Sequence, residues 1–304
     1  MNCGQYTGSI QLSLLPSPDA VEVADTPHLA DYDLVLLNTS AGKDSQAMMD
    51  VVVAQGRAEG AADRLVAVHC DLGDVEWPGT RQLAAKQSAR YGLRFEVVRN
   101  EHHADLLARV EHRRDRLDAA GKPDTPAWPS STNRWCTSEF KTAQVRRLAT
   151  RLVAEIDPQR LGRPVRILNC LGLRAAESPA RAKKLPFRRH EAGKGWTNSR
   201  RVVDEWLPIF TWSADQVWEQ IRRSGVPHHP AYDAGMPRLS CCFCVLGSKS
   251  ALIRAAQLRP DLADRYVAVE ARVRSRFRQD LSMAEIVEAA GQVKTNVAIA
   301  DWVA

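Results

Sequence analysis

Short apolar runs alternate with stretches of helical periodicity between residues 34 and 173. Four strands are predicted, over LVLLNT (34–39), RLVAVHCD (64–71), RFEVVR (94–99) and VRILNCLGL (165–173). Helices are predicted to begin near Asp44 and to lie around 79–91 and 138–155. Strands that are apolar on both faces and separated by helices indicate a parallel sheet covered on both sides. The predicted fold class is therefore an α/β doubly wound, mostly parallel sheet.

The 304 residues suit one large domain plus a smaller lobe. Residues 1–30 are irregular and rich in Pro, Ser and Asp, so an N-terminal extension is predicted. Residues 31–215 are predicted to form the α/β domain, and residues 216–304 a helical C-terminal lobe. The chain has no apolar run of membrane-spanning length and no secretion signal, so a cytoplasmic protein without a membrane contact is expected.

Charge and cysteine content limit the kinds of partner and site that the chain is expected to have. The net charge is +6, which permits a polyanionic partner without requiring one. The seven cysteines are odd in number, and three lie within residues 241–244, which favours a metal or redox site over disulfides. Residues 181–201 carry eight Lys or Arg against one acid, Glu191. This segment is either a solvated loop, or a phosphate lid or nucleic-acid contact.

The turn after the first predicted strand has the features of an anion site. It consists of Ser40, Ala41, Gly42, Lys43, Asp44 and Ser45. The N-terminus of the following helix offers unpaired amides, a glycine permits close approach, and a lysine adds a mobile cation. The alternative is an ordinary strand-to-helix turn.

Further polar residues follow other predicted strands, where ligands of parallel sheets bind. Asp71 ends the second strand and is a candidate for ribose or Mg²⁺ binding, or else a helix cap. Arg174, after the fourth strand, is a candidate phosphate clamp that Glu177 would orient. The alternative for the latter two is a surface ion pair.

The S-A-G-K-D-S turn resembles the SGGKDS pyrophosphate loop (PP-loop) of the adenine nucleotide alpha-hydrolase superfamily, with Ala41 at a glycine position. Further segments resemble its phosphoadenosine phosphosulfate (PAPS) reductase branch, namely HCDLGDVEWPGT (69–80), RWCTSEFK (134–141), LGLRAAESPAR (171–181), PIFTWSADQVW (208–218) and HHPAYDAGMPRLSCCFC (228–244). The resemblance implies that residues 31–215 bind ATP and Mg²⁺. It also implies cleavage of ATP to an adenylate and pyrophosphate, with Lys43, Asp44 and Arg174 as catalytic residues.

The same resemblance pairs the C-x-x-C of Cys241 and Cys244 with Cys136. Three thiolates suit an iron–sulfur cluster, here a 4Fe-4S cluster, with Cys242 as a candidate fourth ligand. Zinc and unligated, reduced thiols remain alternatives. Cys70 and Cys170 are predicted to pack as small hydrophobic residues, and Cys3 to be exposed.

Two departures separate the chain from sulfonucleotide reductases. Trp135 precedes Cys136 where cluster-bearing reductases have a second cysteine, and residues 291–304 lack the nucleophilic cysteine of reductase tails. The chain is most similar to the ATP pyrophosphatase component of DNA phosphorothioation systems of the Dnd and Ssp kinds.

This similarity implies activation of a DNA backbone phosphate for sulfur insertion. DNA and a cysteine desulfurase are then expected partners, and a homodimer is allowed. Three alternatives stay open: a tRNA thiolation enzyme, a PAPS or APS reductase, and a non-catalytic nucleotide-binding module.

Overall fold

A computed structural model describes residues 26–189, 193, 195–291 and 302. At its centre is a six-stranded sheet with the strand order β3-β2-β1-β4-β6-β5. Five strands are parallel, and β5 pairs antiparallel with β6 at one edge. The strands are β1 (Leu34–Thr39), β2 (Leu65–Asp71), β3 (Arg94–Arg99), β4 (Val165–Leu171), β5 (Phe187–Arg189) and β6 (Arg201–Trp206). The predicted fold class is confirmed.

Helices cover both faces of the sheet and build the rest of the described chain. They are α1 (Lys43–Ala58), α2 (Thr80–Arg90), α3 (Leu106–Ala119), α4 (Trp135–Thr137), α5 (Ala143–Ile156), α6 (Pro158–Leu161), α7 (Pro179–Ala182), α8 (Ala214–Ser224), α9 (Lys249–Leu258), α10 (Pro260–Val273) and α11 (Met283–Gly291). A π-helical turn over Ser138–Thr142 joins α4 to α5. No helix of the described part of the chain has the length and apolar character needed to cross a membrane.

The alternation of side chains along β1 builds two separate cores. Val35 and Leu37 pack with α1 and α8 on one face of the sheet. Leu34 and Leu36 pack with α5 on the other face. Because successive strand residues point to opposite faces, one continuous apolar run supplies both layers.

A third core joins α3, α9, α10 and α11. The Trp128 ring stacks on Tyr266 with centroids 5.7 Å apart and meets Phe277 edge-on at 5.4 Å. The domain boundaries at residues 30 and 215 stay predictions. Leu29 is fully buried in the core beneath α1, and α8 packs in that same core. Residues 1–25 of the predicted extension lie outside the described residues.

The sheet extends beyond the four predicted strands. The fourth predicted strand, over 165–173, ends two residues early at Leu171, and β5 and β6 add to the sheet beside it. The basic segment 181–201, for which a solvated loop or a phosphate contact was predicted, contains β5 and the first residue of β6. His190, Glu191, Ala192 and Lys194 of this segment lie outside the described residues.

The strand order also fixes where a ligand would bind. The chain runs from β1 to β2 and β3 on one side, and then returns to β4 on the other side of β1. In doubly wound sheets, the crevice at such a reversal, beyond the carboxyl ends of the strands, is the usual ligand site. The residues after β1 and β4 line this crevice.

Candidate active site

The turn between β1 and α1 is held by its own side chains. The Ser45 hydroxyl donates to the Gly42 carbonyl (2.8 Å) and accepts from the Ser40 amide (3.2 Å). Ala41 has φ of 54°, in the left-handed region that favours glycine, and its amide donates to Thr39 Oγ1 at 3.2 Å. Alanine therefore adopts the backbone conformation for which glycine is normally used.

The first turn of α1 presents free amides. Gln46 makes the first helical hydrogen bond, to the Gly42 carbonyl at 2.9 Å. The amides of Asp44 and Ser45 precede it and therefore have no partner within the helix. Together with the positive end of the helix dipole, they form an anion-binding geometry.

Three charged side chains meet beside this turn. One carboxylate oxygen of Asp44 lies 2.5 Å from Arg174 Nε, and the other lies 3.1 Å from Lys43 Nζ. Lys43 and Arg174 are each only 6% exposed, so these are not surface ion pairs. The cluster carries one net positive charge at low solvent exposure, where an added polyanion interacts strongly with it.

Arg174 is fixed by the segment that follows β4. Its amide donates to Glu177 Oε2 at 2.9 Å, and its Nη1 donates to the Trp212 carbonyl at 3.3 Å. Glu177 also forms an ion pair with Arg181. The structure therefore brings Arg174 and Glu177 together, although Glu177 holds the arginine backbone and not its guanidinium.

Gly172 is a site residue that sequence reasoning missed. A Cβ atom at this position would lie 2.6 Å from the Asp44 carbonyl oxygen and 2.8 Å from Ser45 Cα. The end of β4 thus packs directly against the start of α1, backbone to backbone. The signal in the sequence is a glycine directly after an apolar strand, within LGLR.

Tyr232 is the second site residue that sequence reasoning missed. Its hydroxyl accepts hydrogen bonds from the amides of Lys43 (2.9 Å) and Leu239 (3.3 Å). The Lys43 ammonium also lies 5.5 Å from the centre of its ring. Tyr232 therefore attaches the segment 228–244 to the anion-binding turn.

Asp71 takes a different position from the turn residues. Its Oδ1 accepts from the Gly73 amide at 2.9 Å, and its Oδ2 lies 3.7 Å from Arg81 Nη1. It lines a cavity of about 260 Å³ after β2, together with Asp74 and Glu76. Its hydrogen bond to Gly73 is that of a turn cap, and ribose or Mg²⁺ binding by Asp71 stays a prediction.

Cys136, Cys241 and Cys244 come from two distant segments and influence one another's ionisation. Burial raises the pKa of the Cys241 thiol to about 12, the Lys141 ammonium lowers it, and Cys244 and Cys136 raise it further. Burial and Cys244 likewise raise the pKa of Cys136. Arg238 Nη2 lies 3.4 Å from Cys244 Sγ. The three thiols therefore lie close enough to affect one another, beside two cations, and soft sulfur donors are the type that iron–sulfur clusters and zinc take.

The described residues contain no trio of His, Cys, Asp or Glu already in metal-binding geometry. Cys242, the candidate fourth ligand, is buried in the lobe core, and its amide donates to the Val75 carbonyl at 2.8 Å. Cys70 packs against two of the cores, and its sulfur lies 3.9 Å from the Lys141 carbonyl. Cys170 is fully buried in β4, as predicted, and Cys3 lies outside the described residues.

Sequence comparison assigns the family. The model of the phosphoadenosine phosphosulfate reductase domain matches residues 34–246, well over half of the chain. The chain belongs to this family. The PAPS reductase domain contains the anion-binding turn, Arg174 and all three candidate cluster cysteines.

Individual relatives match only in part. An adenosine 5'-phosphosulfate reductase of Neisseria meningitidis is 36% identical over 68 residues, which is 22% of this chain and 25% of that enzyme. An uncharacterized protein of Methanocaldococcus jannaschii is 24% identical over 237 residues, 77% of this chain and 47% of that protein. The PAPS reductase-domain chain thus spans less than half the length of these relatives.

Solved structures are more distant. The PAPS reductase of Candida auris, in a phosphate complex, aligns over 70% of this chain and 83% of its own, with 15% identity and a TM-score of 0.43. A U34-tRNA thiolase from Methanococcus maripaludis with its [4Fe-4S] cluster aligns over 86% of this chain and 72% of its own, with 14% identity and a TM-score of 0.33. Family membership therefore rests on the sequence match.

His229 holds the turn that carries Tyr232. The ring is fully buried, its Nδ1 accepts from the Ala231 amide at 3.1 Å, and its Nε2 donates to the Pro78 carbonyl at 3.0 Å. Burial lowers the pKa of His229 to about 4. The imidazole is therefore neutral in the folded protein at neutral pH.

This depressed pKa predicts an acid-sensitive stability. As the pH falls below 6.5, the unfolded chain takes up the His229 proton first, so the free energy of unfolding decreases until the pH reaches about 4. The loss amounts to at most about 3 kcal/mol. Urea unfolding across this range should show a shallower pH dependence for His229→Gln than for wild type. The exposed His28→Gln is the control, and equal slopes for His229→Gln and wild type would contradict the assignment.

Proposed function

We propose that this chain cleaves ATP between its α and β phosphates and thereby activates an acceptor for sulfur insertion. The observation that carries the proposal is the meeting of Lys43, Asp44 and Arg174 at the reversal of the sheet. Beside them, Tyr232 ties the cysteine-bearing segment to the same turn. The proposed ATP site and the segment that carries Cys241 and Cys244 are therefore in direct contact.

The turn would hold the pyrophosphate portion of ATP on the amides of Asp44 and Ser45. Without ligand, Asp44 pairs with both neighbouring cations and offsets one of their two positive charges. Bound phosphates would take over Lys43 and leave the Asp44 carboxylate for Mg²⁺, an oxygen-preferring cation. Arg174 would then stabilise the charge that develops during transfer of the adenylyl group.

The acceptor proposed is a phosphate of the DNA backbone, as in phosphorothioation systems of the Dnd and Ssp kinds. A non-bridging phosphate oxygen would attack the α phosphorus, and pyrophosphate would leave with its electron pair. A cysteine desulfurase supplies sulfur as an enzyme persulfide, and a dithiol reductant would convert it to hydrosulfide while being oxidised to a disulfide. Hydrosulfide would then attack the activated DNA phosphorus and lose its proton as AMP departs. The two displacements at phosphorus are balanced and involve no redox change.

Cys136, Cys241 and Cys244 would hold a 4Fe-4S cluster, which supplies an iron site able to bind sulfide when a ligand position is open. The contribution of the chain itself is positive charge. Lys141 and Arg238 lie against the thiols and would stabilise the anionic donor. Burial opposes the charge of Lys141, but Cys241, Cys70 and Glu76 together raise its pKa.

One experiment separates the two halves of this proposal. The protein, purified without oxygen, is assayed for pyrophosphate release from ATP in the presence of DNA and sulfur-donor components, and for bound iron and zinc. Lys43→Ala is expected to lower pyrophosphate release at least 100-fold while retaining wild-type metal content. Cys241→Ser is expected to lose metal and sulfur insertion while releasing pyrophosphate within about threefold of wild type.

The results for pyrophosphate release and metal content distinguish the alternative functions. Wild-type protein that releases no pyrophosphate under these conditions would sink the enzyme proposal in favour of a nucleotide-binding module. A stoichiometric zinc content would replace the cluster by a zinc site. The similarity to an APS reductase favours a second candidate, sulfonucleotide reduction, and sulfite formation from PAPS or APS with thioredoxin tests it directly.

A further inference from the structure

A second cavity, of about 620 Å³, opens directly after β3, at the same carboxyl edge of the sheet as the anion-binding turn. We call it the histidine–arginine pocket. Its charged and titratable lining residues are three histidines, three arginines and one acid: His102, His103, His112, Arg109, Arg116, Arg147 and Glu139. With neutral histidines the lining carries a net charge of +2.

Arg109 is held rigidly at the pocket wall. Its Nε and Nη2 donate to the two oxygens of Glu139 at 2.7 and 2.9 Å, and its guanidinium lies 5.1 Å from the ring centre of Trp135. The one acid of the lining is thus neutralised. Arg109 Nη1 is buried and has no hydrogen-bond partner among the described residues. A rigidly held guanidinium at a positively charged wall favours an anionic ligand in the pocket.

The histidine side of the pocket is also ordered. Asn100 Oδ1 accepts from the amides of His102 (2.9 Å) and His103 (3.1 Å), which fixes the loop after β3. The rings of His103 and His112 lie 5.0 Å apart. Partial burial, then Arg109 and His112, lower the pKa of His103. A bound anion would reverse that shift, because it favours the protonated ring.

The pocket borders the thiol site. Trp135 precedes Cys136 in α4, and Glu139 follows it by three residues, about one helical turn. The side chain that positions Arg109 therefore belongs to the same helical segment as a candidate cluster ligand. A polyanion bound in the pocket would extend beside the site where sulfur is proposed to be delivered.

We propose that the histidine–arginine pocket binds a backbone phosphate of the nucleic-acid acceptor, next to the linkage that is modified. This inference rests on the proposed function. A cavity of this volume accommodates a nucleotide unit, and arginine forks with nearby imidazoles match phosphate oxygens without reading bases. The Arg147 side chain is 52% exposed, and its contacts with Gln144 Oε1 (3.3 Å) and Glu101 (3.8 Å) are long, so it is available to reach an adjacent phosphate.

The test is direct binding in the absence of ATP. Fluorescence anisotropy measures the affinity of the protein for a labelled DNA duplex and for a labelled RNA hairpin at several salt concentrations. Arg116→Gln combined with Arg147→Gln is expected to weaken DNA binding about tenfold and to reduce the slope of log affinity against log salt by about 1 to 2. The matched control, Arg160→Gln combined with Arg222→Gln, removes the same charge from α6 and α8, where neither residue lines the pocket.

A second readout uses His103. Because a protonated imidazole favours a bound phosphate, binding to DNA should tighten by about threefold or more between pH 8 and pH 6. His103→Gln should weaken this dependence, and replacement of all three pocket histidines with Gln should remove it. A variant that only destabilised the fold would lower the affinity for DNA at every pH and would leave its pH dependence unchanged.

Equal weakening by the pocket and control pairs would overturn the proposal, because it would show binding to general surface charge. Preference for the RNA hairpin, lost in the pocket pair, would keep the pocket and overturn DNA as the acceptor. Wild type that releases pyrophosphate without binding either nucleic acid would overturn the pocket and leave the ATP reaction standing.

Discussion

Replacing Arg174 with methionine is expected to lower the rate of pyrophosphate release by about 10²- to 10³-fold. The guanidinium is buried, lies 2.5 Å from Asp44 and faces the turn that would hold the phosphates. Its loss removes fixed positive charge where negative charge develops, and it also frees Asp44 to pair with Lys43 alone. Steady-state release of pyrophosphate from ATP measures the effect.

Two further variants show whether the charge or the geometry of Arg174 causes this effect. Arg174→Lys keeps the charge but loses the planar fork, so an intermediate rate would assign part of the effect to geometry. Arg181→Met is the matched control, since Arg181 contacts Glu177 and does not contact Asp44. A rate for Arg174→Met within threefold of wild type, in a protein with unchanged Tm, would remove Arg174 from the catalytic set.

Gly172→Ala is expected to cost both stability and activity. The added methyl group would lie 2.6 Å from the Asp44 carbonyl oxygen, and neither backbone is a flexible side-chain end that can give way. Overpacking of this kind costs about 1–3 kcal/mol of unfolding free energy. Displacement of the start of α1 is expected to lower kcat/KM for ATP by about 100-fold, because a shift of about 1 Å disrupts reacting geometry.

Gly291→Ala is the matched control, since a Cβ atom there meets nothing within 4 Å. Chemical denaturation and initial rates of pyrophosphate release give the two quantities. If Gly172→Ala retained wild-type kcat/KM, the close packing of β4 on α1 would have no part in positioning the phosphates.

The central strands could be predicted from the sequence because burial on both faces leaves an uninterrupted apolar pattern. β1 and β3 have the predicted bounds, and α1 begins one residue from its predicted start. The site residues that follow β1 and β4 could be predicted for a related reason. The carboxyl ends of parallel strands gather at one edge, so residues distant in sequence meet there.

β6 was not predicted because its first residue lies in a basic run. Arg201 is buried, yet its Nε donates to the Trp196 carbonyl at 2.8 Å and its Nη1 to Thr150 Oγ1 at 2.7 Å. α3 escaped prediction for a similar reason. Its most buried arginine, Arg114, donates to the carbonyls of three residues of the following loop: Lys122, Pro123 and Thr125. Such satisfied charges cannot be distinguished in a sequence from solvated ones.

The site residues missed from the sequence were those whose roles exist only through tertiary contact. Tyr232 lies 189 positions from Lys43, and nothing local marks its hydroxyl as the acceptor for that amide. Glycine is required at position 172 because the backbone of Asp44 and Ser45 leaves no space for a Cβ atom, and not because of its own φ. Sequence patterns show what neighbouring residues require of one another. The requirements at Tyr232 and Gly172 come instead from the start of α1, which is distant in sequence.

The hydrogen bond from the Lys43 amide to Tyr232 has a thermodynamic consequence. It joins the first residue of α1 to the segment that ends in Cys241 and Cys244. Any ligand of the thiols that shifts Tyr232 alters the affinity of the turn for phosphate by some factor. Linkage then requires phosphate to alter the affinity of the thiol site by the same factor. Binding of sulfur at the thiols and binding of nucleotide at the turn would then be coupled equilibria. The Tyr232 hydroxyl would be the atom through which they are coupled.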